Sequence, residues 1–149
     1  MKALTTLLVV GMFLTTVAIA DDVDDVKAAM QRSQVAANSG DAGTQILLEG
    51  FTSFGFAGGL LERLDLEEAR KNRQAAFDAG LKFNLQDRHI EVSVYGNSTA
   101  VATSYRVGTI TLPNGNTVRP NNRITTVLIK QGGQWKIAHM HFSPLRGPQ

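Results

Sequence analysis

The stretch Leu81-Lys82-Phe83-Asn84-Leu85-Gln86-Asp87-Arg88-His89-Ile90-Glu91-Val92-Ser93-Val94 decides the fold. Its apolar residues recur at every second position, the period of a strand with one covered face. They fall on odd positions at Leu81, Phe83 and Leu85, but on even ones at Ile90, Val92 and Val94. The parity changes somewhere between Gln86 and His89. One extra residue there makes a β-bulge, and a bulge bends a long strand. The core of this chain is therefore predicted to lie against a curved sheet.

Downstream the same period continues. Gly96-Asn97 turns the chain into a strand from about Thr99 to Leu112, Asn114-Gly115 is a hairpin signal, and Val118 to Lys130 runs to a Gly132-Gly133 turn. The last strand is Trp135 to Phe142. Pro120 belongs at an edge or an irregularity, because proline cannot donate to a ladder. These segments predict a meander of four long antiparallel strands.

Upstream the period is helical. Val23, Val26, Met30 and Ala37 form a stripe, interrupted at polar Ser33 and Gln34, and four aspartates (Asp21, Asp22, Asp24 and Asp25) crowd the start, where a helix dipole favours negative charge. Gly40 is the expected stop. Asp41 is read as the cap of a second short helix carrying Ile46, Leu47 and Leu48, and Phe51 to Phe56 as a short strand before a Gly58-Gly59 turn. Asp65 and Glu68 make a capping box for a third helix through Leu66, Ala69, Arg73, Ala76, Phe77 and Gly80. Helices followed by an antiparallel sheet give an α+β architecture. A bent sheet wrapped around helices makes a cone with a cavity inside it, and such concave sites take small ligands.

Residues 1–20 are read as a secretory signal peptide. Lys2 is its lone charge, Ala3 to Ile19 is mainly apolar, and Ala18-Ile19-Ala20 is a cleavage signal before Asp21. The domain is then 21–149, and its place is secreted or periplasmic, with no membrane contact after cleavage. The chain has no cysteine, so it has neither a disulfide framework nor a thiolate nucleophile. Charge is divided unevenly: Asp21 to Glu91 holds all thirteen acids, whereas Val92 to Gln149 holds six bases and no acid. Those bases form no run, which argues against nucleic acid as a partner.

The tail Arg123-Ile124-Thr125-Thr126-Val127-Leu128-Ile129-Lys130-Gln131-Gly132-Gly133-Gln134-Trp135-Lys136-Ile137-Ala138-His139-Met140-His141-Phe142-Ser143 resembles the final hairpin of the SnoaL-like branch of the nuclear transport factor 2-like superfamily. It is most similar to the subgroup that includes the association domain of calcium/calmodulin-dependent protein kinase II. Asn38-Ser39-Gly40-Asp41 and Val94-Tyr95-Gly96 also fit. The resemblance implies a cone-shaped fold over 21–149 and a homodimer formed through the convex face of the sheet. It does not select among the enzymes, binders and assembly modules built on that scaffold. Relatives of the ketosteroid isomerase and polyketide cyclase kinds use an aspartate on the C-terminal strands. This chain has none there.

The candidate chemistry follows. His139 and His141, two apart on a strand, point to one face, where they are expected to line the pocket as a hydrogen-bonded pair; they are also the weak candidates for an acid–base role. As metal ligands they lack an evident third partner, because His89 is the only other histidine, so no metal or cofactor is expected. Ser143 lies two residues from His141, about 6–7 Å along a strand, too far for a direct nucleophile–base contact. Asp78, Asp87 and Glu91 are the nearest carboxylates in sequence and are expected to face solvent. Among Arg106, Arg119 and Arg123, Arg123 shares parity with Thr125, Val127 and Ile129 and is favoured for the pocket or its rim, where it would grip an anion. Tyr105, Phe54 and Phe83 are expected in the cavity wall, and Trp135 at the sheet–helix seam. The leading expectation is a domain that binds a small, anionic molecule. A cofactor-free isomerase or hydrolase, and a homo-oligomeric association module, are the alternatives.

Overall fold

The long strand bends where its parity changes. Strand β3 (Lys82–Tyr95) pairs with β4 (Thr99–Thr111) in regular antiparallel register up to Arg88 opposite Tyr105 and resumes at Glu91 opposite Thr103. His89 and Ile90 thus face the single residue Ser104, and His89 takes the left-handed φ of 53° that lets the chain step aside.

The computed structural model describes residues 14–55 and 59–145, with side chains from Asp21 onward. Helix α1 (Leu14–Ser39) leads into a single 3-10 turn (Ala42–Thr44), strands β1 (Leu47–Phe54) and β2 (Leu61–Arg63), and helix α2 (Leu66–Asp78). After β3 and β4 come β5 (Thr117–Val118), β6 (Asn122–Gln131) and β7 (Gln134–Pro144). The sheet runs β2-β1-β7-β6-β4-β3, with β5 beside β4. It is a curved, unclosed sheet on an α+β plan. Most of the expected signal segment, residues 1–13, lies outside the described residues, as do Phe56 and Gly58 of the expected strand and turn.

Four expectations need correction. The Asp41-capped segment is one 3-10 turn, with Asp41 accepting from the Gly43 amide at 2.8 Å, and Leu47 and Leu48 open β1 instead of lying on a helix. A short apolar run fits either state, and here the free edge of β7 takes it: the Ile137 amide donates to the Ile46 carbonyl at 2.9 Å. That pairing is parallel, so the sheet is mixed where a purely antiparallel one was expected. The stretch from Val118 to Lys130 is two strands with Pro120 between them, because proline cannot donate to the ladder. The described part of helix α1 runs from Leu14, ahead of the aspartates, so in the full chain these are not its first turn.

Other expectations agree with the structure. Gly40 stops α1 at φ 74°, and Asp65 caps α2 by accepting from the Glu68 amide at 2.9 Å. The α1 stripe buries Val26, Ala29 and Met30 against Phe51, Ala100, Ala102, Ile124, Leu128, Trp135 and Ile137. Where the stripe turns polar, α1 bonds to the backbone of β3 instead: Gln34 Oε1 accepts from the Asp87 amide at 2.5 Å, and the Asn38 amide group both donates to and accepts from Leu85 at 2.9 Å.

Candidate functional site

The inner face of each strand can be read from its burial. On β4 and β6 the even residues point inward, Ala100 to Arg106 and Asn122 to Leu128. On β3 the inward parity is odd before the bulge, which turns Phe83, Leu85 and Asp87 toward the helices. Between this face, α1 and α2 lies a cavity of about 260 Å³, slightly below the usual range of about 300–1,000 Å³ for small-molecule sites. Its wall is mostly apolar, with Leu47, Phe51, Phe83, Leu85, Ile110, Met140 and Phe142.

The polar groups on this wall include Glu62, Arg73, Arg106, Asn122 and Ser53. Arg106 donates from Nε to Asp87 Oδ1 and from its Nη2 amino group to Asp87 Oδ2, each at 2.7 Å. The Asp87 side chain is 1% exposed and that of Arg106 12%, so this is a buried fork-to-fork pair. Asp87 therefore does not face solvent as expected; it shares its inward parity with Phe83 and Leu85. Asn122 and Ser53, each 6% exposed, also line the cavity, and neither side chain has a hydrogen-bond partner among the described residues. Arg73 reaches the cavity from α2 and lies over the Phe83 ring, 5.5 Å from its centroid. Burial pulls the Arg73 guanidinium below its ordinary pKa, and the nearby charge of Glu62 opposes that shift. Among the described residues no carboxylate forms an ion pair with Arg73.

Of the six residues expected in the pocket, Phe83 is there. The other five, Phe54, Tyr105, Arg123, His139 and His141, stand on the opposite, convex face. His139 and His141 flank Phe54, with ring centroids 5.8 and 5.4 Å away, and His139 Nδ1 shares a hydrogen bond of 2.8 Å with Thr52 Oγ1. Arg123 donates to Ser143 Oγ at 3.0 Å, so Ser143 is engaged by an arginine, not by His141. Tyr105 packs edge-on against His89. The physical reason for the histidine placement is a second bulge. Ile137 pairs with Leu128 and His139 with Val127, so Ala138 has no opposite number and parity flips between them. Trp135 and Ile137 point inward before it; Met140 and Phe142 do so after it. Among the described residues no cluster of three or more His, Asp or Glu side chains is placed to hold a metal ion.

Sequence reasoning passed over Asp87, Asn122, Ser53 and Arg73 as pocket residues. A signal existed for one of them. Asp87 continues the Phe83-Leu85 alternation, whereas the partners of Asn122 (Ile124, Thr126 and Leu128) are no more apolar than those of Arg123 (Thr125, Val127 and Ile129).

Residues 26–147 match the SnoaL-like domain family. No curated protein matches the chain. Among solved structures, a ketosteroid isomerase-like protein from Erwinia carotovora atroseptica superposes with a TM-score of 0.70 at 19% identity, covering 85% of this chain and 98% of that one. The association domain of Caenorhabditis elegans calcium/calmodulin-dependent protein kinase II gives 0.65 at 22% identity, covering 83% and 95%. A nuclear transport factor 2-like protein of unknown function in nutrient uptake from Rhodospirillum rubrum gives 0.67 at 18% identity, covering 81% and 98%. At these identities the likeness is one of fold.

Proposed function

The chain belongs to the SnoaL-like family, and from that premise we propose that it binds a small amphipathic anion in the cavity between its helices and curved sheet. The observation that carries this reading is Arg73. The half-buried Arg73 guanidinium stands at the cavity wall beside apolar surface, with Glu62 near enough to act on it but no carboxylate in ion-pair contact among the described residues, so its fork is open to an anion from the cavity. A carboxylate fits its fork, and an aliphatic body fits the Phe51, Phe83, Ile110 and Met140 surfaces. Arg73 thus takes the anion-gripping role first assigned to Arg123, which the convex face withholds from this cavity. Calorimetric titration of nonanoate tests the reading: wild-type protein and Arg123→Ala bind alike, and Arg73→Leu loses at least tenfold in affinity. Failure of wild type to bind nonanoate overturns it.

An isomerase or hydrolase working through His139 or His141 in this cavity draws no support from the geometry, since both imidazoles lie on the other face. Assembly has more. The convex face carries Tyr95, Tyr105 and Phe54, which are 61%, 41% and 37% exposed, beside the outward stripe of Val101, Val127 and Ile129. That surface suits a second copy of the chain, and the proposed unit is a homodimer. Sedimentation equilibrium tests it, with a monomer at micromolar concentration as the contrary result.

The proposal extends to export, with cleavage after Ala20 in the Ala18-Ile19-Ala20 signal. Such cleavage would leave intact the pair between Lys130 and Asp22, and the core contacts of α1, whose buried residues begin at Val26. Among the described residues no helix is long and apolar enough to cross a membrane. N-terminal sequencing of the protein recovered from its host, expected to begin at Asp21, tests this.

A further inference from the structure

The register of the sheet sets three side chains in one inward rung: Asp87 on β3 lies opposite Arg106 on β4, and Arg106 opposite Asn122 on β6. Within it Arg106 spends Nε and one Nη2 proton on Asp87, while the Phe142 ring lies 5.6 Å from its guanidinium carbon. Its Nη1 protons make no hydrogen bond to the protein among the described residues. The Asn122 amide likewise makes no hydrogen bond to the protein among the described residues and is open to the cavity, which both residues line. Donors that open into a mostly apolar cavity without a protein partner are placed to meet a polar group of a ligand there.

The charge of the rung says what that group is. Asp87 neutralises Arg106, so the free N–H groups of Arg106 and Asn122 are polarised donors on a locally neutral site. A second carboxylate placed there would lie near the Asp87 charge at low dielectric. A carbonyl oxygen accepts both donors and brings no charge. Building on the reading that Arg73 holds an anion, we propose that the ligand is an oxo-carboxylic acid, its carboxylate on Arg73 and its ketone or similar carbonyl on the Arg106–Asn122 donor pair. The apolar wall between these groups holds the chain that joins them.

The test uses calorimetric titration of the domain from Asp21 to Gln149 with nonanoate, with a set of oxononanoates whose ketone is moved along the chain, and with the same compounds on Asn122→Leu. At least one oxononanoate is expected to bind wild type about tenfold more tightly than nonanoate, the size of one good hydrogen bond. In Asn122→Leu the ratio of the two affinities falls to about one. In wild-type protein the Asn122 side-chain amide protons shift downfield in the proton–nitrogen NMR spectrum with that oxononanoate and not with nonanoate, a readout that does not depend on the variant folding. If nonanoate binds and no oxononanoate exceeds it, or if the gain survives in Asn122→Leu, the carbonyl subsite is overturned while the anion site stands. If neither kind of compound binds, both fall together.

Discussion

Arg106 grips Asp87 with two parallel hydrogen bonds of 2.7 Å across the β3–β4 ladder, inside the cone. The half of the chain without acids therefore does not face its cavity as a bare positive surface. The one acid that the bent strand carries inward neutralises the arginine beside it, and the cationic group left without an ion pair at the wall is Arg73, on the helical side.

Breaking the buried pair from one side leaves a charge with no partner in a low-dielectric wall. Asp87→Asn is expected to destabilise the fold by about 3–5 kcal/mol. Replacing both partners, Asp87→Leu with Arg106→Met, should cost clearly less, because no charge is then stranded. Urea denaturation of the three proteins reads the order, and a single variant as stable as wild type would show that the pair does not matter to folding.

Asn38 ties the end of α1 to the middle of β3 by giving its amide to the Leu85 carbonyl and accepting from the Leu85 N–H, both at 2.9 Å. Asn38→Ala leaves that peptide group unpaired in a partly buried seam, for an expected loss of about 2 kcal/mol. Asn38→Asp keeps the acceptor but sets a carboxylate oxygen against the Leu85 carbonyl, and should be no better than alanine. Thermal unfolding of the two variants measures this; an aspartate variant as stable as wild type would remove the carbonyl contact from the account.

The elements of this fold were legible in the sequence because alternation and capping are local. The bulge in β3 showed itself as a parity change among Leu85, Ile90 and Val92. β7 carries the same mark, with Trp135 and Ile137 on one parity and Met140 and Phe142 on the other. The inward parity of Trp135 and Ile137, extended to His139 and His141 across the unpaired Ala138, puts the histidines on the wrong face. What no local pattern carries is the partner of an edge. The parallel seat of β1 on β7 and the reach of Arg73 into the cavity depend on how distant segments pack.

Gly108 on β4 lies opposite Leu85 on β3. Its φ is 132°, and a Cβ there would come within 2.1 Å of the Asn84 carbonyl oxygen and 3.0 Å of the Leu85 Cα. Both neighbours are backbone, so neither can rotate away. Gly108→Ala is expected to cost more than 2 kcal/mol, through strain and a shifted ladder beside the cavity, and to weaken nonanoate binding as Leu85 moves. Urea midpoints together with the titration read both effects; an alanine variant with a wild-type midpoint would contradict the close approach.

Lys130 closes the far end of the molecule. Its ammonium donates to Asp22 Oδ1 at 2.6 Å and lies 5.6 Å from the Trp135 ring centre. The hydrogen bond to Asp22 raises the lysine pKa above its ordinary value; desolvation works against the shift, and the charges of Asp22 and Asp25 add to it. Because the folded state holds this proton more tightly than the unfolded chain, the pair's contribution is complete below the ordinary lysine range and is lost as pH rises through the folded pKa. Asp22→Asn should therefore unfold at lower urea than wild type at about pH 7, and the gap should narrow as pH rises above the ordinary lysine range and through the raised folded pKa. A gap that persists unchanged at the higher pH would assign the effect of Asp22 to α1 itself instead of to its ion pair.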